Sequence, residues 1–197
     1  MNINRFATTL LSAACALLLA GCHTVPEPPP VSLATYNPAP VPEETKLFVV
    51  GNFTANFSNS WQLFQDHFTA LAQACHASAE FFQMPNAGDQ LTLDPKAQLA
   101  TAQAELMRRL AASQPDGILE FNVVSWQGPG GLASNPNAPL NYGTFNLKLR
   151  LLEGKKRTEQ WHANGSLNVR SGAGGELLAS EVVRDFTVAG ALPHCPK

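Results

Sequence analysis

Fifteen almost wholly apolar residues, Phe6 to Ala20, lie near the start of the chain, and a stretch with seven prolines in twenty residues, Val25 to Glu44, follows closely. Between them these two segments push any packed fold into what comes after. The apolar run is too short to span a bilayer stably. It sits between a weakly cationic start, Asn2 to Arg5, and a group of small residues, which is the three-part grammar of an export signal. No later stretch reaches the ~18 uninterrupted apolar residues of a spanning helix. In Val25 to Glu44, proline fixes φ and removes amide donors, so this stretch is expected to be an extended spacer. Its upper reach is roughly 60 Å at ~3.1 Å per residue. Pro26, Pro29 and the Pro38, Pro40, Pro42 alternation also leave open a proline-rich ligand for a partner domain.

Leu19-Ala20-Gly21-Cys22 resembles the lipobox of bacterial lipoproteins. That resemblance implies a signal peptide over 1–21, cleavage before Cys22 and a diacylglycerol on the Cys22 sulfur. In most Gram-negative species it implies a further acyl chain, such as palmitate, on the new amino group. One acyl chain binds a membrane marginally, whereas two or three hold indefinitely. His23 stands where the family's sorting rule associates aspartate with inner-membrane retention. The implied location is therefore the periplasmic leaflet of the outer membrane, with residues 22–44 as lipidated tether.

The remaining residues, 45–197, are expected to form a single domain, long enough for one core. The chain carries 13 basic and 15 acidic side chains, and loss of Arg5 with the signal leaves 12 and 15. Charges are intermixed, and no basic patch argues for a nucleic-acid partner. Lys46 to Thr54 reads as a strand. A helix is predicted from about Trp61 to Ala79, capped by Asn59-Ser60, with Trp61, Phe64, Phe68, Leu71 and Cys75 as its apolar stripe. A short strand at Glu80 to Met84 is optional. Asp94-Pro95 starts a second helix that runs to about Ala112, with Leu99, Ala102, Leu106 and Leu110 inward.

Ile118 to Trp126, Tyr142 to Leu152 and Thr158 to Val169 read as strands. In the last two, apolar and polar residues alternate with period two. Glu176 to Ala189 reads as a final helix with Leu178, Val182, Phe186 and Ala189 on one side. The order β-α-(β)-α-β-β-β-α predicts an α/β (α+β) two-layer sandwich, helices packed on one face of a mixed, mainly antiparallel sheet. Behind a lipobox and a proline-rich spacer, this order is similar to that of small Gram-negative envelope lipoproteins. Among these are the outer-membrane activators of penicillin-binding proteins and proteins with a TolB-amino-terminal-like or CsgG-like domain. The similarity is architectural and implies a class of role with no site residues.

Cys15 leaves with the signal and Cys22 takes lipid, so Cys75 and Cys195 remain. In an oxidising periplasm they are expected to form one disulfide that closes a long loop. A rival is a metal site from Cys75, His76, His194 and Cys195. It fails on spacing, because adjacent helix positions point ~100° apart and the intervening residues of metal motifs are missing. No metal and no cofactor are expected. His67 reads as a boundary residue. Gln73-Ala74-Cys75 is followed by the wrong pair for a caspase-type nucleophile, and no serine sits in a G-x-S-x-G elbow. Gly172-Ala173-Gly174-Gly175 lacks the Lys-Ser/Thr of a phosphate loop and reads as a turn into the last helix.

Two surfaces remain. The stretch Gln127 to Asn141 is longer than most hairpin connections and is either functional or disordered. The polar positions of the strands form the second. The candidate binding face comprises Asn146, Lys148, Arg150, His162 and Asn164, with Glu120, Asn122, Ser166 and Asn168 around them. The expectation is a non-catalytic envelope lipoprotein, not an enzyme, that presents this face to an envelope protein or a peptidoglycan-associated partner. The competing readings are an enzyme with a dispersed site and a carrier of a small apolar ligand.

Overall fold

A computed structural model of the chain describes residues 30–36, 41–85, 94–127, 143–169 and 174–196. Cys22, the signal segment, most of the Gln127 to Asn141 loop, and Gly172 and Ala173 lie outside the described residues. The α/β class expected from the pattern holds: one six-stranded mixed sheet with three helices. The elements are β1 (Val31–Tyr36), β2 (Lys46–Asn52), α1 (Ser58–Ala74), β3 (Ser78–Gln83), α2 (Pro95–Ser113), β4 (Gly117–Gln127), β5 (Gly143–Glu153), β6 (Glu159–Val169) and α3 (Gly174–Ala189). Across the sheet the strands run β1-β6-β5-β4-β2-β3.

β1 lies inside the span read as a tether over 22–44, and the folded unit therefore includes residues from Pro30 onward. The six residues between Pro30 and Asn37 contain no proline, so each can take part in a ladder. Val31 and Leu33 alternate with polar Ser32 and pack against the core, and the strand pairs antiparallel with β6 from Val31↔Leu167 to Tyr36↔His162. Gly165 makes the docking possible: a Cβ there would lie 2.0 Å from the Ser32 carbonyl oxygen.

The second departure concerns the helices. α1 and α3 cover one face and α2 covers part of the other. β3 and β4 both pair parallel with β2, on its two sides. The chain steps outward from β2 to β3 through α1, then back across β2 to β4 through α2. Crossovers between parallel strands are right-handed almost without exception, so steps in opposite directions put their helices on opposite faces. The side chains follow. Leu47 and Val49 of β2 join the large core under α1 and α3. Phe48 joins Leu110, Ile118 and Leu152 beneath α2, with Val50, Phe82 and Leu106 against them. Covered on both sides, β2 needs the continuous apolar run L-F-V-V.

Local signals decide the helix ends. Asp94 caps α2 by accepting from the Ala97 amide at 3.0 Å, with Pro95 in the first turn. Of the four positions expected inward on α2, only Leu110 is buried, and Leu99 is exposed. α1 starts three residues earlier than predicted, behind a 3-10 turn at Ala55–Phe57, and without the side-chain cap expected from Asn59-Ser60. It also stops earlier, at Cys75, where His76 takes φ 60° and turns the chain into β3. The main core is aromatic. Phe53, Phe57, Trp61, Phe64, Phe68, Phe121 and Phe145 are buried and interlock at ring-centroid distances of 5.0–5.6 Å. Burial of each such side chain contributes about 1.5–3 kcal/mol.

Candidate functional site

Period-two alternation sends the odd-numbered residues of β5 and β6 into the core and the even-numbered ones to the opposite face. The hydrogen-bonded register then sets those outward residues in rows across the sheet. One row runs Glu120–Arg150–His162–Tyr36, and the next runs Asn52–Asn122–Lys148–Asn164–Ala34. A third is Ser125–Asn146–Ser166–Ser32, reached because β4 bulges between Val123 and Ser125 and so returns Ser125 to this face. The five residues of the candidate face thus sit together in three adjacent rows. α2 covers only the β3-β2-β4 end, through Leu106 and Leu110, and leaves these rows uncovered by any described helix.

The first row is an ion-pair chain. Arg150 donates from both Nε, at 2.9 Å, and Nη2 to Glu120 Oε2, and its Nη1 lies 3.8 Å from Glu159 Oε2. Glu159 Oε1 is 2.8 Å from His162 Nδ1, and the His162 ring lies 5.2 Å from that of Tyr36. Side chains in this chain are 29–41% exposed, so each pair contributes at most about 1 kcal/mol. Their effect is orientational: Glu120 and Glu159 hold the Arg150 guanidinium, and Glu159 also holds the His162 imidazole. In the adjoining rows Asn52 donates to Asn122 at 3.4 Å, and Asn146 donates to Ser125 Oγ at 2.8 Å. Lys148 is exposed, and no ion pair among the described residues involves it. The face therefore offers amides, hydroxyls, one free ammonium and one clamped guanidinium.

No protein-family profile matches the chain, and no curated protein does. The PelC dodecamer structure from Paraburkholderia phytofirmans superposes with a TM-score of 0.47 at 12% identity, covering 85% of this chain and 99% of that one. Lipoprotein GNA1162 from Neisseria meningitidis superposes with a TM-score of 0.40 at 18% identity, covering 73% and 99%. No residue role is transferred from either.

Cys75 and Cys195 are joined by a disulfide across 120 residues, which ties the end of α1 to the segment after α3. The bond consumes both thiolates that the rival four-ligand metal site needs. His76 and His194 are left with ring centroids 6.3 Å apart. Among the described residues no group of three or more His, Cys, Asp or Glu side chains is placed to hold a metal ion. His67 bridges α1 to α3 through the Ser180 hydroxyl at 3.1 Å, a boundary role.

Sequence reasoning missed Glu44. It is 2% exposed and borders a cleft of about 730 Å³ shared with Glu43, Asp116, Glu153 and Lys155. Burial, then the charges of Asp116 and Glu153, push its carboxyl up to about 7. The only signal in the sequence was position, two carboxylates immediately ahead of the first core strand.

Proposed function

We propose that this chain is a non-catalytic envelope lipoprotein. Acyl chains on Cys22 anchor it in the periplasmic leaflet of the outer membrane, and the uncovered rows of β4, β5, β6 and β1 receive an envelope protein partner. The observation that carries the anchor is Leu19-Ala20-Gly21-Cys22 directly behind a short apolar run. No described helix is long and apolar enough to cross a membrane, and acyl chains on Cys22 would supply the attachment. Inclusion of Pro30 in the folded unit shortens the leash. Seven residues lie between Cys22 and Pro30, and the eight Cα-to-Cα steps reach at most about 28 Å when fully extended. The domain works close to its membrane, less than half as far out as the whole proline-rich span would allow.

The partner surface rests on the rows. Lys148, Arg150 and His162 are adjacent in register and set in a polar field that no described helix covers. Two experiments test the two halves separately. Labelled palmitate incorporated into the wild type and absent from Cys22→Ser supports the anchor, and incorporation unaffected by Cys22→Ser removes it. Capture from solubilised membranes is then compared between wild type and a Lys148→Ala, Arg150→Ala, His162→Ala triple variant. Loss of a specific protein from the triple variant is expected, and recovery of the same proteins by both removes the face from the proposal.

A further inference from the structure

The segment 41–45 leads into β2 and is tied to several parts of the fold, with the Thr45 carbonyl accepting from the Ser78 amide at the start of β3 at 2.8 Å. The Val41 amide donates to the Ala189 carbonyl at 3.1 Å and the Glu44 amide to that of Ala191 at 2.8 Å. Glu43 Oε1 meets His194 Nε2 at 2.8 Å. Asp116 Oδ2 accepts from Thr45 Oγ1 at 2.7 Å and from the Lys46 amide at 3.0 Å. Beneath these ties lies the Glu44 carboxyl. It packs over Gly117, where an added Cβ would stand 2.9 Å from Oε2, and Oε2 itself has no hydrogen-bond partner.

The groups around it do not favour a charge. Asp116 comes from the α2–β4 turn and Glu153 from the end of β5, and both repel a carboxylate. Glu43 neighbours it on the strap, with its charge directed to His194 in the C-terminal turn. Lys46 opens β2. Lys155, in the β5–β6 turn, borders the same cleft but makes no ion pair with Glu44. A buried carboxylate without a partner is costly, and the seated strap therefore selects the protonated acid.

We infer that residues 41–45 form a proton-latched strap, seated while the Glu44 carboxyl is neutral and released as it ionises. The direction follows from linkage. Seated, the acid titrates near 7; lifted into water it returns to its ordinary 4.5. The seated state holds its proton more tightly, so release becomes easier as pH climbs from 4.5 through 7 and levels off above that. Between about pH 5 and pH 7.5 the opening constant rises on the order of tens of fold.

Amide hydrogen exchange on the intact protein tests this, with each rate corrected for its intrinsic pH dependence. Between pH 5 and pH 7.5 protection at Val41 and Glu44 is expected to fall by about tens of fold, while Leu149 in β5 holds. In Glu44→Gln, which is neutral at every pH, protection at the two strap amides stays level. An equal fall in Glu44→Gln, or a fall that Leu149 shares, overturns the inference. Should Glu44→Gln fail to fold, the carboxyl carbon of Glu44 in the wild type is titrated by NMR. An inflection near 7 supports the latch, and one near 4.5 overturns it.

Discussion

Replacing both bridged cysteines, Cys75→Ala with Cys195→Ala, isolates what the disulfide does. The bond closes a 120-residue loop, and in the chain-entropy model a loop of that length removes about 5 kcal/mol of freedom from the unfolded chain. Little of this should come from the native side. The segment around Cys195 keeps Ala191 and Leu192 in the core, and the Val41 and Glu44 amides still reach Ala189 and Ala191. A domain of this size is stable by roughly 5–15 kcal/mol, so the variant loses a third or more. The assay is urea unfolding of the oxidised wild type against the double variant. With a slope of about 2 kcal/mol/M the midpoint falls by ~2.5 M, and the slope itself increases as a less constrained unfolded chain exposes more surface. A stability change under about 1 kcal/mol with an unaltered slope would refute the reasoning, because the bond would then not act through the unfolded chain.

Two further expectations concern the core and a helix end. Phe121→Ala removes a fully buried ring that lies 5.2–5.4 Å from Phe57, Trp61 and Phe64; a loss of about 3–5 kcal/mol is expected in calorimetry, and less than 1 would mean the cluster collapses freely around the gap. Asp94→Ala deletes the side-chain cap of α2 and should cost about 1 kcal/mol, read as weakened amide protection in the first turn, with unchanged protection there counting against the cap.

Elements whose signals are local could be read from the sequence. The alternation in β5 and β6 placed Lys148, Arg150, His162 and Asn164 on one face before any register was known. Asp94-Pro95 marked the start of α2 to the residue. Elements decided by distant partners could not be read so directly. Val31–Tyr36 carries a strand pattern, but seven surrounding prolines outweigh it until Gly165 offers a docking site 132 residues after Leu33. The end of α1 has no glycine or proline to announce it. There the pairing of β3 with β2 overrides a sequence that favours more helix. The face chosen by α2 depends on strand order, which periodicity does not contain. Glu44, in a Pro-Glu-Glu context, reads as a solvated acid, and only the closure of α2, β4 and β5 around it removes the water.

β1 precedes every other described strand in the chain, yet its only ladder partner among them is β6, and Val31 meets Leu167 across 136 intervening peptide bonds. The first of the described strands therefore cannot be paired before the last of them is available. Until β6 is in place, Val31 to Tyr36 has no described strand to pair with. The order of the sheet thus makes closure of its β1 edge depend on nearly the whole length of the described chain.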